Sequence, residues 1–208
     1  MHHATPSVSA LPPAGWPVAQ TVLVVGGANM DVGARTDRPL LAGDSTPGHI
    51  HHAPGGVGRN IAENLARLGV AVQLATLVGD DAFGAQLVAS TAAAGVDMAL
   101  SQRVAGLRTA TYLSLHGPDG DMALAVNDMA ILDALTPNWC ADHLPAAAAA
   151  SVLLLDCNLP AATLAYLLAQ SWGWGVQGAW YAMLADLTVR AVLISYRFWH
   201  GGWKRIEV

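Results

Sequence analysis

Apolar positions along the chain follow two rhythms, and the switches between them outline a fold. Thr21 to Val25 is a short β-branched block ended by Gly26-Gly27, the pattern of a buried parallel strand opening into a functional turn. Val57, Ile61, Leu65 and Leu68 then recur at helical spacing, and Gly69 follows as a stop. Val70 to Val78 reads as a second buried strand, and Phe83 to Ala94 as a helix closed by Gly95. Strand, loop, helix, strand, helix is the order of an α/β sheet with crossover helices.

The middle of the chain changes period. Thr109, Thr111, Leu113 and Leu115 alternate with Tyr112 and Ser114, Pro118-Asp119-Gly120 supplies a turn, and Met122 to Asn127 returns. This predicts a β-hairpin exposed on one side, suited to a lid on an α/β domain. Ser151 to Leu155 resumes the main sheet and Pro160 to Gln170 begins another helix. Beyond Gln170 the strand–turn–helix grammar stops, and Trp172, Trp174, Trp180, Trp199 and Trp203 crowd the end. Residues 171–208 read as an atypical tail of the kind a shifted reading frame produces; an ordinary divergent C-terminus is the other reading.

Composition narrows the function classes. A chain of 208 residues suits one domain with a real core. Mean hydropathy is +0.39, but Ala and Gly account for much of the apolar character. The net charge is −5 and the only lysine is Lys204, so nucleic acid is not an expected partner. Nor is a membrane. The apolar run Ala146 to Leu155 is too short to span one, and Val176 to Trp199 carries Asp186 and Arg190. Cys140 and Cys157 form neither a metal-ligand spacing nor a disulfide framework, which fits a reduced, cytoplasmic setting. Met1 to Gln20 lacks a basic segment followed by an apolar one and reads as a disordered leader.

Two clusters carry candidate chemistry. Gly26-Gly27-Ala28-Asn29-Met30-Asp31 follows the first strand, where open α/β sheets bind ligands. Asn29 and Asp31 bring an amide and a carboxylate there, suited to vicinal hydroxyls of a sugar; the plainer reading is that they cap a turn. A dinucleotide loop is disfavoured because the spacing is not G-x-G-x-x-G. Pro54-Gly55-Gly56-Val57-Gly58-Arg59-Asn60 enters the helix. Its glycines let backbone approach a ligand, and its helix N-terminus presents free N–H groups. No G-K-[ST] follows, so it is not a Walker loop. Asn60 projects one turn in and pairs naturally with Asn29 and Asp31.

These clusters, with Val78-Gly79-Asp80-Asp81-Ala82-Phe83-Gly84 after them, resemble the ordered N-terminal motifs of the ribokinase/PfkB carbohydrate kinase family. Val57-Gly58-Arg59-Asn60, Tyr112-Leu113-Ser114-Leu115, Ala125-Val126-Asn127-Asp128-Met129 and Asp156-Cys157-Asn158 are similar to its pseudouridine kinase branch. The resemblance implies an α/β, ribokinase-like three-layer sandwich, truncated at its C-terminal side, with a small β-hairpin lid. The kinase-type region would be residues 21–170, with the lid at about 32–53 and 104–128. Asn29, Asp31, Gly55, Gly56, Asn60 and Asn158 would bind the sugar, and Asn127 or Thr109 would reach a nucleoside base. The lid would pair with a second subunit's lid. The implied activity is phosphorylation of a sugar or nucleoside hydroxyl, pseudouridine favoured, by ATP with Mg²⁺.

One departure matters. The family carries a downstream Gly-Ala-Gly-Asp whose amides hold the developing phosphate charge and whose aspartate is the base. The sequence contains none, and no ATP-binding segment is recognisable after Gln170. No catalytic residue is therefore assigned, and a binding remnant or a dimerisation module stands as the alternative. Other candidates read as structural. His49, His51 and His52 read as exposed lid residues rather than metal ligands. Asp80-Asp81 reads as a helix cap, and Cys157 as a core thiol.

Overall fold

The computed structural model describes residues 21–144 and 150–171. The stretch expected to be a leader, residues 172–208 of the expected tail and the apolar run Val176–Trp199 lie outside them. A parallel sheet forms the centre: β1 (Val22–Val25) between β4 (Val72–Ala75) and β9 (Val152–Leu155). Val22 stands level with Val72 on one side and Val152 on the other.

Side chains of β1 point alternately to two apolar layers, which is why its sequence is apolar throughout rather than alternating. Val22 and Val24 pack with Leu74, Ala62, Ile61 and Leu65, the last three on α1 (Val57–Arg67). Leu23 and Val25 face Ile131, Leu132, Leu135, Cys140 and Leu167. These come from a 3₁₀ turn at Ala130–Ala134 and the Leu135 that ends it, from α3 (Pro137–His143) and from α4 (Ala161–Ser171). The result is helix, sheet, helix. Only the middle of the α1 stripe is in the core, because Val57 and Leu68 at its ends are exposed.

A second sheet has the order β3 (Gly48–Gly55), β2 (Asn29–Thr36), β7 (Thr111–His116), β8 (Met122–Asp128). β2 runs antiparallel to β3 and parallel to β7, and β7 runs antiparallel to β8. The predicted hairpin is thus half of a four-stranded sheet. Its base packs on α2 (Ala82–Ala93) through Met30, Val32, Phe83, Leu87 and Val88. Its far end is open, and β8 is exposed on both faces.

The strand expected over Val70–Val78 is two strands. β4 ends at Ala75, and β5 (Leu77–Gly79) pairs with β6 (Gln102–Val104) in a separate sheet. The chain turns at Thr76, whose carbonyl accepts from Gln102 N at 3.0 Å. Leu74, Ala75, Thr76, Leu77 and Val78 are all buried, so the run holds no alternation that would mark the break.

Candidate functional site

The site begins at the carboxyl ends of β1 and β9, where parallel strands deliver their loops side by side. Gly26-Gly27 leaves β1, Asp156 leaves β9, and the N-terminus of α1 lies against both. Asp156 is 3% exposed. Its Oδ2 accepts Gly27 N at 2.7 Å and Gly58 N at 2.8 Å, and its Oδ1 accepts Asn158 N at 2.8 Å. One carboxylate therefore closes β1, α1 and the post-β9 turn around a point, and it satisfies an amide at the start of α1 that has no helical partner.

The close approach needs glycine. A Cβ on Gly58 would stand 2.9 Å from Asp156 Oδ2 and 2.9 Å from Gly26 Cα. Gly56, the residue before α1, has φ +98°, and a Cβ there would lie 2.5 Å from Gly27 O. Only glycine adopts that conformation readily.

Above this floor opens a cavity of about 220 Å³. Asn29, Asp31, Asn60 and Asn158 bring polar side chains to it, Gly27 and Gly56 bring backbone, and Tyr112, Met129 and Leu132 form the more apolar wall. Asn29 is buried and donates from Nδ2 to Asp31 Oδ1 at 2.6 Å. Asp31 and Tyr112 are neighbours across β2 and β7. The cavity thus offers carboxylate oxygen, amide groups and an aromatic side chain within one opening. That set can grip a hydroxylated ring and cover it.

Of the residues expected from sequence, Asn29, Asp31, Gly56, Asn60 and Asn158 meet at the cavity. Gly55 does not line it but sits beneath Asp31, whose carboxylate occupies the space a Cβ would need. Asn127 faces Tyr112 across β7 and β8, outside the cavity lining. Thr109 is buried elsewhere. Its Oγ1 donates to Asp81 Oδ1 at 2.6 Å and accepts Gly79 N at 2.9 Å.

Asp81 is the N-cap of α2 and accepts Gly84 N at 2.8 Å. Partial burial opposes its charge, but hydrogen bonds from Thr109, Gly84 and Phe83 outweigh that and hold the carboxyl below its ordinary 3.8. Asp80 faces Arg103 at 4.0 Å.

His49, His51 and His52 lie exposed on β3, with His52 tilted against Phe83 at 6.1 Å between ring centres. Among the described residues no three His, Cys, Asp or Glu side chains gather to hold a metal ion. Cys157 corrects the sequence reading: it is exposed, because the turn after β9 sends Asp156 inward and Cys157 out. Cys140 is the core thiol, its pKa pushed up to about 11 by burial. Sequence reasoning passed over Asp156 as a pin and Tyr112, Met129 and Leu132 as walls. The available signal for Asp156 was a lone acid at the end of a buried parallel strand.

The profile described as pfkB family carbohydrate kinase matches residues 19–170. The chain belongs to that family. A pseudouridine kinase of Escherichia coli strain K12 is 42% identical over 147 residues, covering 71% of this chain and 47% of the relative. A pseudouridine kinase of Arabidopsis thaliana is 26% identical over 138 residues, covering 66% and 36%. The chain thus spans about half or less of the length of the curated relatives it matches. A solved carbohydrate kinase from Agrobacterium tumefaciens superposes with a TM-score of 0.66 at 31% identity, over 74% of this chain and 51% of that one. The Arabidopsis thaliana ribokinase solved with ribose and ATP shares the fold, with a TM-score of 0.62 at 22% identity over 74% and 51%.

Proposed function

We propose that these residues form the substrate-binding part of a PfkB-type kinase and that the ligand is a sugar or nucleoside, pseudouridine favoured. The observation that carries this is the convergence of Asn29, Asp31, Asn60 and Asn158 on one small opening beside the Gly27 and Gly56 backbone. Asp31 accepts hydrogen bonds from hydroxyl protons, and the asparagine amides complete the pairing of a vicinal diol. Tyr112 stands beside the ring. The 42% identity to the Escherichia coli pseudouridine kinase favours the nucleoside over a simple sugar.

The reaction of the whole enzyme is transfer of a phosphoryl group from ATP, with Mg²⁺, to a substrate hydroxyl. What this region supplies to that reaction is grip and orientation of the acceptor. Gly-Ala-Gly-Asp does not occur in the sequence, and an assay for ADP with pseudouridine and ATP separates an active kinase from a chain that only binds ligand. The second sheet acts as the lid. Ile50, Leu113, Leu124 and Val126 stand exposed on it, an apolar surface that favours pairing with the lid of a second copy. No described helix is long and apolar enough to cross a membrane; a cytoplasmic setting is part of the same reading.

Calorimetric titration of the purified chain with pseudouridine, beside ribose and fructose, tests the assignment. Asp31→Ala should weaken pseudouridine binding at least tenfold, as expected for losing a charged hydrogen bond. Unchanged affinity would remove the cavity from consideration.

A further inference from the structure

Arg59 is 8% exposed and does not line the cavity, yet it touches a residue that does. Its Nε donates to Thr91 Oγ1 at 3.2 Å on α2. Nη1 donates to Pro54 O at 3.1 Å, near the end of β3, and to Asn60 Oδ1 at 2.9 Å. Nη2 pairs with Glu63 Oε2, whose other oxygen takes Arg67 Nε at 2.8 Å. The guanidinium is thus held from four sides in a place where it cannot turn.

A guanidinium has donors and no acceptor, so the only end of a carboxamide it can face is the oxygen. Asn60 therefore turns Oδ1 to Arg59, and its Nδ2 makes no hydrogen bond among the described residues. Asn29 gives one of its two Nδ2 hydrogens to Asp31 Oδ1, and its oxygen is left as an acceptor. Without Arg59 the Asn60 amide is free to flip, which would put an acceptor where the rim now offers a donor near the Asp31 carboxylate. Each ligand hydroxyl has one proton to give, so a hydroxyl bound between Asp31 and a flipped Asn60 would leave its lone pairs and the Asn60 oxygen unmatched.

We propose that Arg59 is a positioning residue that fixes the Asn60 carboxamide as a donor, so that this position selects ligands with an acceptor oxygen, such as a sugar hydroxyl. This rests on reading the cavity as a sugar or nucleoside site. Arg59 acts on the ligand only through Asn60, while its bonds to Thr91, Pro54 and Glu63 hold the fold.

Pseudouridine affinity is measured by calorimetry for the unmodified chain, Arg59→Met, Asn60→Ala and the double variant. Arg59→Met should weaken binding about tenfold and add nothing further once Asn60 is alanine. Losses that add in the double variant would overturn the proposal. Arg59→Lys, which keeps a charge for Glu63, serves if the methionine variant does not fold. In it the Asn60 side-chain amide signals in ¹⁵N NMR, identified by their loss in Asn60→Ala, should shift; unchanged signals would overturn the proposal equally. That second readout needs no ligand. An unmodified chain that binds no pseudouridine sinks the nucleoside reading, while the amide signals still decide the role of Arg59.

Discussion

Gly58 and Asp156 are 98 positions apart in sequence, and the glycine N–H donates to the Asp156 carboxylate at 2.8 Å. The same oxygen takes Gly27 N at 2.7 Å. The cavity floor is therefore a three-way joint, and its strength depends on a negative acceptor in a place where water does not reach to replace it.

Asp156→Asn nearly conserves volume and breaks that joint. If its oxygen keeps Gly27 and Gly58, the amide nitrogen faces Asn158 N–H, donor against donor; if it turns to Asn158, both of the other amides face the nitrogen instead. The expected cost is about 2–3 kcal/mol, read from urea unfolding midpoints. A change below about 0.5 kcal/mol, the range of an ordinary surface substitution, would show that the carboxylate is not the pin.

Gly56 and Gly69 separate conformational strain from steric clash. Both have positive φ, +98° and +81°. Nothing stands within 4 Å of a Cβ on Gly69, so Gly69→Ala should cost only the left-handed penalty of about 1 kcal/mol. At Gly56 the Cβ would also meet backbone at Gly27 and Ala28. Gly56→Ala should exceed Gly69→Ala by at least about 1–2 kcal/mol in the same unfolding assay. Equal costs would mean that the loop is free to move away.

The pH dependence has a defined sign. Asp81 sits below its ordinary value because hydrogen bonds from Thr109, Gly84 and Phe83 overcome its partial burial. Asp97 is lowered by hydrogen bonds from the Gln73 side chain and Ala99 N, against a smaller effect of burial. A carboxyl whose folded pKa is depressed contributes stability that is full above the unfolded value near 3.9 and lost as pH falls through the folded value. Thermal melting between about pH 2.5 and pH 6 should show a decline starting near pH 4. Asp81→Asn should make it shallower; an unchanged decline would assign it to other groups.

The lid surface gives an assembly prediction. Leu124 and Val126 are 67% and 64% exposed on β8, too much apolar surface in one place to be neutral in water. Sedimentation equilibrium should find dimers in the unmodified chain and monomers after Leu124→Asp with Val126→Asp. A monomeric unmodified chain would rule out pairing through this sheet.

Much of the fold was legible because burial writes periodicity. Val22–Val25 is apolar on every residue since both faces of β1 are covered, and Ile61 and Leu65 mark the inner face of α1. The break at Thr76 left no such trace, because an unbroken apolar run looks the same whether it continues or turns. Cys157 was misplaced for a related reason. A residue just past a strand end has no alternation to say which way it faces, and here the carboxylate beside it took the inward place.

The sequence by itself determined the order of β1, α1, β4, α2, the β7–β8 hairpin, β9 and α4, the glycine turns, and the polar cluster at positions 29, 31 and 60, since these follow from local pattern and spacing; position 158 was marked only by the family resemblance. Which of them share an opening was decided only by the tertiary structure. Thr109 was drawn away to Asp81 and Gly79, while Tyr112 was brought beside Asp31. Asp156 was turned inward onto two amides, one of them 129 positions away. Such partnerships depend on strand register and on desolvated hydrogen bonds between distant segments, and no local stretch of sequence contains both partners.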